Sequence, residues 1–161
     1  LVEERLKQML RSNPARIDYY ERYQNIIEQY NAEKDRSEIE RIFDELTKLA
    51  QDLSQEEKRY VREGFSSDEE LSVFDLLFKE DLNKKEIETI KKVAVDLLAK
   101  VKAKISELDH WTDKTETKAI IDNLIRDTLW AELPESYDEL SVSAHRQEIY
   151  QYIYMRYKDV A

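Results

Sequence analysis

Apolar residues recur at intervals of three and four residues along most of this chain, which is the spacing of amphipathic helices. No segment alternates apolar and polar residues with the two-residue period of a strand. The clearest stripe lies in the first half and predicts a third helix: Ile39, Ile42, Phe43, Leu46, Leu49, Ala50 and Leu53. The pattern predicts an all-α fold, a single-domain bundle of about seven to eight helices.

Proline, serine and glycine predict the helix ends of the first half. Pro14 separates the first two helices, because the residue before a proline is pushed out of the α region while proline itself suits a first turn. Capping boxes that begin at Ser54 and Ser67 each predict the start of a helix. Gly64 is expected to end the helix that Ser54 begins, as a left-handed residue. The expected segments are 1–11, 14–31, the third helix, a short fourth helix, and a fifth helix with Leu71, Phe74, Leu77 and Phe78 on its apolar side.

Three longer helices are predicted in the second half, over about 84–108, 114–133 and 141–157. Asn83 caps the first of them, which repeats apolar residues in a 3–4 pattern over three heptads: Ile87, Ile90, Ala94, Leu97, Val101, Ile105 and Leu108. Neighbouring valines and leucines widen this stripe, which favours a central place in a bundle. The last helix is apolar on nearly every side, and such a helix is either buried or covered by another molecule.

Composition excludes several function classes. The 161 residues are 39% charged, 41% hydrophobic and 10% aromatic, a balance that predicts one folded domain over 1–161. A single glycine cannot supply a Gly-rich phosphate-binding loop, and the absence of cysteine excludes disulfides and thiolate sites. With no secretory signal and no long apolar run, we expect a cytoplasmic protein. Because the chain begins at Leu1, we also expect a domain cut from a longer protein.

The net charge of −10 argues against DNA binding by the chain as a whole. Residues 84–104 are the exception, since they carry seven lysines and three acids. On a helical wheel these lysines spread over three sides, which favours a solvated face. The alternative is an accessory module that contacts DNA through Lys84, Lys85, Lys91, Lys92 and Lys102.

No enzyme signature is present. The two histidines, His110 and His145, stand 35 positions apart in no metal-binding pattern, and we expect exposed or cap-adjacent imidazoles. Close acid pairs are typical of helices rich in ion pairs, as at Glu38–Arg41. We therefore expect no catalytic, cofactor-binding or metal-binding residue.

The aromatic residues favour packing or subunit contact. Tyrosines recur at helical spacing, which is more typical of cores and interfaces than of a platform for stacking bases. Leu129, Trp130 and Leu133 are predicted to form a hydrophobic plug at a helix end. The pair Arg126–Asp127 is either a buried ion pair or an interface contact, and the pattern leaves both open.

Two stretches resemble blocks of a known family, the C-terminal helical domain of the type I restriction enzyme R subunit (HsdR). They are NPARIDYYERYQNIIEQYN at 13–31 and IRDTLWAELPESY at 125–137, followed by a tyrosine-bearing last helix. The resemblance implies a parent subunit that uses ATP and Mg to translocate and cleave DNA. It also implies that this region docks the R subunit onto a methyltransferase–specificity core (HsdM and HsdS). Neither the family's nuclease carboxylates nor its motor motifs occur in this chain.

The composition of the chain and its resemblance to the family both predict a non-catalytic assembly module. The candidate partner contacts are Arg126, Trp130, Tyr150, Tyr154 and Tyr157. The alternatives are the DNA-contacting module and a self-associating adaptor that uses the heptads of 87–108.

Overall fold

The computed structural model describes residues 2–32 and 36–159, and nearly all of them are helical. Leu1, which the prediction placed in the first helix, lies outside the described residues. The α-helices, in chain order, are α1 (Val2–Ser12), α2 (Ile17–Ala32), α3 (Arg36–Glu57), α4 (Arg59–Arg62), α5 (Asp68–Leu77), α6 (Lys84–Glu107), α7 (Thr115–Glu132) and α8 (Glu139–Tyr157). Short 3₁₀ turns cover Pro14–Arg16 and Trp111–Asp113. No strand occurs in the described part of the chain, so the prediction of an all-α bundle is confirmed.

The chain divides into two compact units, Leu1–Glu69 and Glu70–Ala161. In the first unit α1 packs on α2 and α2 on α3. Its core consists of Leu6, Met9, Ile26, Ile42, Leu49 and Leu53. In the second unit α7 packs against both α6 and α8. The prediction of one domain over the whole chain stays a prediction.

Helix ends with a specific chemical signal fall where the sequence predicts them. Asn83 accepts a hydrogen bond from the backbone of Glu86, whose carboxylate accepts one from the backbone of Asn83, a complete capping box. Gly64 has φ +86° and ends the α4 turn, as expected of a left-handed residue.

The helix boundary predicted at Ser54 is wrong, because α3 continues through it to Glu57. The Ser54 hydroxyl donates to the carbonyl of Ala50 instead of capping a new helix, and it accepts a hydrogen bond from Arg5. A serine inside a helix can bond back to the carbonyl four residues earlier without ending the helix. The short α4 begins after Lys58 with no side-chain cap.

Two phenylalanines predicted to face the core are exposed. Phe43 leaves 53% of its surface exposed, and its ring meets that of Tyr30 edge-on at a centroid distance of 6.0 Å. Adjacent residues of a helix point about 100° apart, and of Ile42 and Phe43 it is Ile42 that is buried. Phe78 lies one residue beyond the end of α5 and is 45% exposed.

The heptad residues of α6 are buried inside the second unit. Ile90, Ala94, Leu97, Val101 and Ile105 each expose 1% of their surface or less. A coiled-coil partner needs these side chains at the surface, so the alternative of self-association through them is wrong. No helix in the described ranges is long and apolar enough to span a membrane.

Candidate docking surface

Two of the predicted contact residues, Arg126 and Trp130 of α7, line a cleft between α7 and α8. The cleft has a volume of about 260 Å³, and its α8 side is formed by Glu139, Val142, Ser143 and Arg146. Trp130 leaves 53% of its surface exposed. This Trp130 cleft therefore combines an exposed aromatic ring with two guanidinium groups, and Trp and Arg are the side chains most enriched at binding hot spots.

The geometry of α7 explains why Trp130 faces outward. Ile121, Ile125 and Leu129 follow each other at four-residue intervals and are completely buried. Trp130 follows Leu129 directly and is turned about 100° away from that row. The predicted hydrophobic plug is therefore wrong for Trp130, although Leu129 does belong to the core.

Each arginine of the cleft is paired with a carboxylate of α7. Arg126 lies 3.2 Å from the neighbouring Asp127, and their side chains are 48% and 68% exposed. Arg146 bonds Asp122 of α7 at 2.9 Å. The alternative of a buried Arg126–Asp127 pair is wrong, and an exposed pair of this kind contributes little to stability.

The outward side of α8 next to the cleft is almost free of charge. Residues spaced by four, three, four and three positions form this outer stripe of α8: Leu140, Ala144, Gln147, Gln151 and Tyr154, with Met155 beside them. Leu140 is 83% exposed and Met155 is 64% exposed. A 4–3 spacing is the seam along which two helices pack. The sequence did not reveal this stripe, because the inward side of α8 is apolar too.

The three tyrosines predicted as contacts have different surroundings. Tyr150 and Tyr154 are half-buried and lie edge-on to the ring of Trp111, at centroid distances of 6.3 Å and 5.8 Å. Burial, together with the nearby Asp122, raises the pKa of Tyr150. Tyr157 exposes only 8% of its surface, and its carbonyl accepts a hydrogen bond from the indole of the buried Trp111 at 3.0 Å. Tyr154 thus retains surface on the outer stripe, whereas Tyr157 offers almost none.

The seven lysines of α6 fall into two classes. Lys100 is held by Asp96 at 3.0 Å and by Glu132 at 3.1 Å, which together raise the pKa of Lys100. Lys104 bonds Glu107 at 3.1 Å. The other five lie along the rest of the exposed arc of α6, where Lys91 is half-buried and four are exposed: Lys84, Lys85, Lys92 and Lys102.

The histidines do not come together. His110 is exposed in a left-handed turn, as expected, whereas His145 is half-buried and donates from Nδ1 to the carbonyl of Leu76 at 2.8 Å. Within residues 2–32 and 36–159 no group of acidic or histidine side chains could hold a metal ion. The absence of catalytic, cofactor and metal residues stays a prediction.

A comparison with known protein families gave a match over most of the chain. Residues 1–152 match the family described as type I restriction enzyme HindI endonuclease subunit-like, C-terminal. The chain belongs to this family. Comparison with curated proteins and with solved structures gave no match.

The first block of this restriction-subunit domain, at 13–31, has a structural role. Asn13 is completely buried, and its side chain accepts a hydrogen bond from the backbone of Ala15 in the turn at Pro14. That turn directs Arg16 inward, where its guanidinium bonds Glu56 at 2.9 Å and Asp68 at 2.6 Å. Arg59 also bonds Glu56 at 2.9 Å. The block therefore ties the start of α2 to the end of α3 and the start of α5.

These contacts shift the pKa values of two buried groups in the first unit, Glu56 and Arg16. Burial alone would raise the pKa of Glu56, but hydrogen bonds from Arg59 and Arg16 outweigh it and hold that pKa below its ordinary value. Burial likewise opposes the charge on Arg16, whereas Asp68 and Glu56 raise its pKa. The directions of both shifts favour the charged forms of Glu56 and Arg16, as a buried ion pair requires.

The last residue of the second block of this restriction-subunit domain, Tyr137, contacts the C-terminal end of α5. Tyr137 is buried, and its hydroxyl donates to the carbonyl of Leu77. Next to it His145 donates to Leu76, so two of the carbonyls that α5 leaves open are satisfied. Burial, with the nearby Glu86 carboxylate, raises the pKa of Tyr137 to about 12.

Proposed function

We propose that this chain is a non-catalytic assembly module, which docks the R subunit of a type I restriction endonuclease onto its methyltransferase–specificity core. The observation that carries the proposal is the exposed Trp130 in its cleft, beside the uncharged outer stripe of α8. In this proposal the parent subunit carries out ATP-dependent DNA translocation and cleavage, and its catalytic residues and its ATP and Mg sites lie outside this chain. The module would act in the cytoplasm, together with the core that it binds.

The composition of the outer stripe supports docking. The chain is 39% charged, yet the stripe consists of Leu140, Ala144, Gln147, Gln151 and Tyr154. Loss of charge at the centre of a surface patch, with aromatic residues and arginine near it, is the pattern of protein interfaces. A stripe without charge favours a partner surface that is also without charge, because an unpaired charge buried against it would lose its hydration.

The spacing of the stripe indicates the shape of the partner element. Positions 140, 144, 147, 151 and 154 cover about four turns, roughly 21 Å of helix. Ala144 is small and allows close approach, and the flanking Trp130 cleft can receive one large side chain. We therefore propose that a helix of the core packs along α8, with an apolar anchor side chain in the cleft.

The test is binding of the 161-residue chain to the methyltransferase–specificity core of the same system, followed by light scattering and by titration calorimetry. We expect a complex without DNA, weakened at least tenfold by Trp130→Ala, since truncating a hot-spot tryptophan costs about 2 kcal/mol or more. Phe43→Ala is the matched control, because Phe43 has the same exposure of 53% but lies in the first unit. Equal affinities for the Trp130 and Phe43 variants would contradict the proposed surface.

A second pair of variants tests the stripe without changing side-chain volume. Gln151→Glu places a charge on the stripe, whereas Gln8→Glu places the same charge on exposed α1. We expect only Gln151→Glu to weaken the complex. If both variants bind like the unmodified chain, the stripe is not part of the contact.

A further inference from the structure

Five lysines of α6 share one exposed side of the second unit, which we call the α6 lysine face: Lys84, Lys85, Lys91, Lys92 and Lys102. At about 100° per residue they cover roughly 120° of the helix, with the half-buried Lys91 at the edge next to the buried residues. From Lys84 to Lys102 the face is about 27 Å long at ~1.5 Å per residue. Within this arc Glu88 is the one acidic residue. This is a positive surface on a chain whose net charge is −10.

Two lysines of α6 that lie outside the face are engaged in ion pairs. Lys100 and Lys104, outside the face, are bonded to carboxylates at 3.0–3.1 Å. Lys84, Lys85 and Lys92 have no carboxylate within ion-pair distance in the described part of the chain, although acids outnumber bases. Lys91 and Lys102 lie over the rings of Phe74 and Tyr157, each with its ammonium 5.9 Å from the ring centroid. The three lysines without ion pairs therefore remain available to an external anion.

Two of the lysines lie at the N-terminal end of α6, where a positive charge is least favourable. Lys84 and Lys85 occupy the first turn of α6, next to the positive end of the helix dipole. The acidic residue of that turn, Glu86, is engaged in the capping box with Asn83. A bound phosphate beside this turn would relieve the repulsion, since anions are stabilised at helix N-termini.

From this arrangement we infer that the α6 lysine face binds the phosphate backbone of double-stranded nucleic acid without reading its sequence. Lysine ammonium groups are point charges that neutralise phosphates and carry no base information by themselves. The face lies on one uninterrupted helix, and a duplex beside it carries one charge per about 1.7 Å of its axis. The rest of the arc is small or aliphatic, with Val95, Ala99, Ala103 and Ser106, so it has no aromatic side chain on which unpaired bases could stack.

The net charge of the chain does not cancel this local attraction. At physiological ionic strength charges are screened beyond about 8 Å, so a face about 27 Å long acts largely through its own lysines. The acid within the face, Glu88, reduces the attraction and provides a position for a gain-of-binding variant. This site is separate from the Trp130 cleft and does not depend on the docking proposal.

The test is titration of the 161-residue chain into a labelled 25-base-pair duplex, in two unrelated sequences, across salt concentrations from 50 to 200 mM. Phosphate contacts by Lys84, Lys85 and Lys92 predict a slope of about −2.7 in log affinity against log salt, or about a 40-fold loss over this range. Replacing these three lysines together by Gln should bring the slope close to zero. Glu88→Gln should strengthen binding at low salt.

The matched control replaces Lys100 and Lys104 by Gln, which removes lysines of the same helix outside the face. This control should leave the slope unchanged. Equal losses in the control and in the triple variant would overturn the inference, as would the absence of binding to duplex at 50 mM salt. A single strand of equal length and vesicles of phosphatidylcholine with one quarter phosphatidylserine test the other polyanions, and tighter binding to either would also overturn it.

Thermal unfolding provides a readout that does not require DNA. The Gln substitutions at Lys84 and Lys85 should raise the melting temperature slightly, because they remove cations from the positive end of α6. A lower melting temperature would show that these lysines stabilise the helix, which would contradict the repulsion inferred for the first turn of α6. Circular dichroism of each variant at the titration temperature confirms that it is folded.

Discussion

The guanidinium of Arg16 and the carboxylate of Glu56 form a buried ion pair with an Nε–Oε1 distance of 2.9 Å. Their side chains expose 3% and 5% of their surface, and 40 residues separate them in the chain. Arg16 belongs to the first family block, so this block contributes to the stability of the first unit. Removing either partner leaves the other buried with a single ion-pair partner, Arg59 for Glu56 or Asp68 for Arg16.

Arg16→Ala should lower the free energy of unfolding of the first unit by about 3 kcal/mol, the lower end of the range for a broken buried pair, because Glu56 keeps Arg59 as its partner. Urea denaturation followed by circular dichroism measures the loss, and amide hydrogen exchange in α2 and α3 assigns it to this unit. The control is Arg22→Ala, whose ion pair with Asp52 is more than a third exposed and should cost about 1 kcal/mol or less. Similar losses in the two variants would show that the burial of Arg16 is unimportant.

The depressed pKa of Glu56 predicts acid sensitivity. A carboxyl group with a lowered folded-state pKa adds stability above its unfolded-state pKa of about 4.3, and this stability is lost as the pH falls through the folded-state value. The difference in unfolding free energy between the unmodified chain and Glu56→Gln should therefore be largest near neutral pH and shrink below about pH 4. The exposed Glu4→Gln serves as control and should show no such difference. If the difference in unfolding free energy between the unmodified chain and Glu56→Gln stays constant with pH, the pKa of Glu56 is not lowered in the folded state.

Tyr137 should make the second unit lose stability at high pH, whereas Glu56 makes the first unit lose stability at low pH. Its pKa is raised to about 12, so its contribution is fully present below the unfolded-state value of about 10 and is lost as the pH rises towards 12. Tyr137→Phe removes the hydrogen bond to the Leu77 carbonyl and should cost about 1–3 kcal/mol at pH 7, with the difference narrowing above pH 10. Tyr30→Phe, at a tyrosine that is 45% exposed, should change neither quantity. A Tyr137→Phe protein as stable as the unmodified chain would show that the Leu77 carbonyl finds another donor.

Substitutions at Gly64 measure the cost of a left-handed backbone conformation, because an added side chain would not clash with its neighbours. It has φ +86°, and a Cβ atom built there would meet no atom within 4 Å. Gly64→Ala should therefore cost only the left-handed backbone term, about 1–2 kcal/mol, and Gly64→Asn less, since Asn tolerates this conformation better. Urea denaturation measures both. An alanine variant with unchanged stability would indicate that the turn adopts another conformation.

Helix type and most helix ends were predictable because single residues determine them locally. Pro14, Gly64 and Asn83 each act on their own backbone, and the structure has a helix boundary at each one. Ser54 failed as a signal because a serine side chain can either cap a helix or bond back to the preceding turn, and contacts with Arg5 distant in sequence accompany the second state.

The direction of individual side chains was harder to predict. Neighbours such as Ile42 and Phe43, or Leu129 and Trp130, are all apolar, and the sequence does not show which of each pair faces the core. That choice depends on which helix packs against them. The Trp130 cleft and the outer stripe of α8 could be recognised only once α7 and α8 were packed together. The Arg16 network likewise joins residues that are 40 and 52 positions apart.

The central claim, docking through the Trp130 cleft, is tested most directly by titrating the methyltransferase–specificity core with the unmodified chain, the Trp130→Ala variant and the Phe43→Ala variant in the absence of DNA. The account predicts a complex with the unmodified chain and with Phe43→Ala, and binding at least tenfold weaker with Trp130→Ala while that variant keeps its helical circular dichroism signal. A folded Trp130→Ala variant that binds as tightly as Phe43→Ala would contradict it.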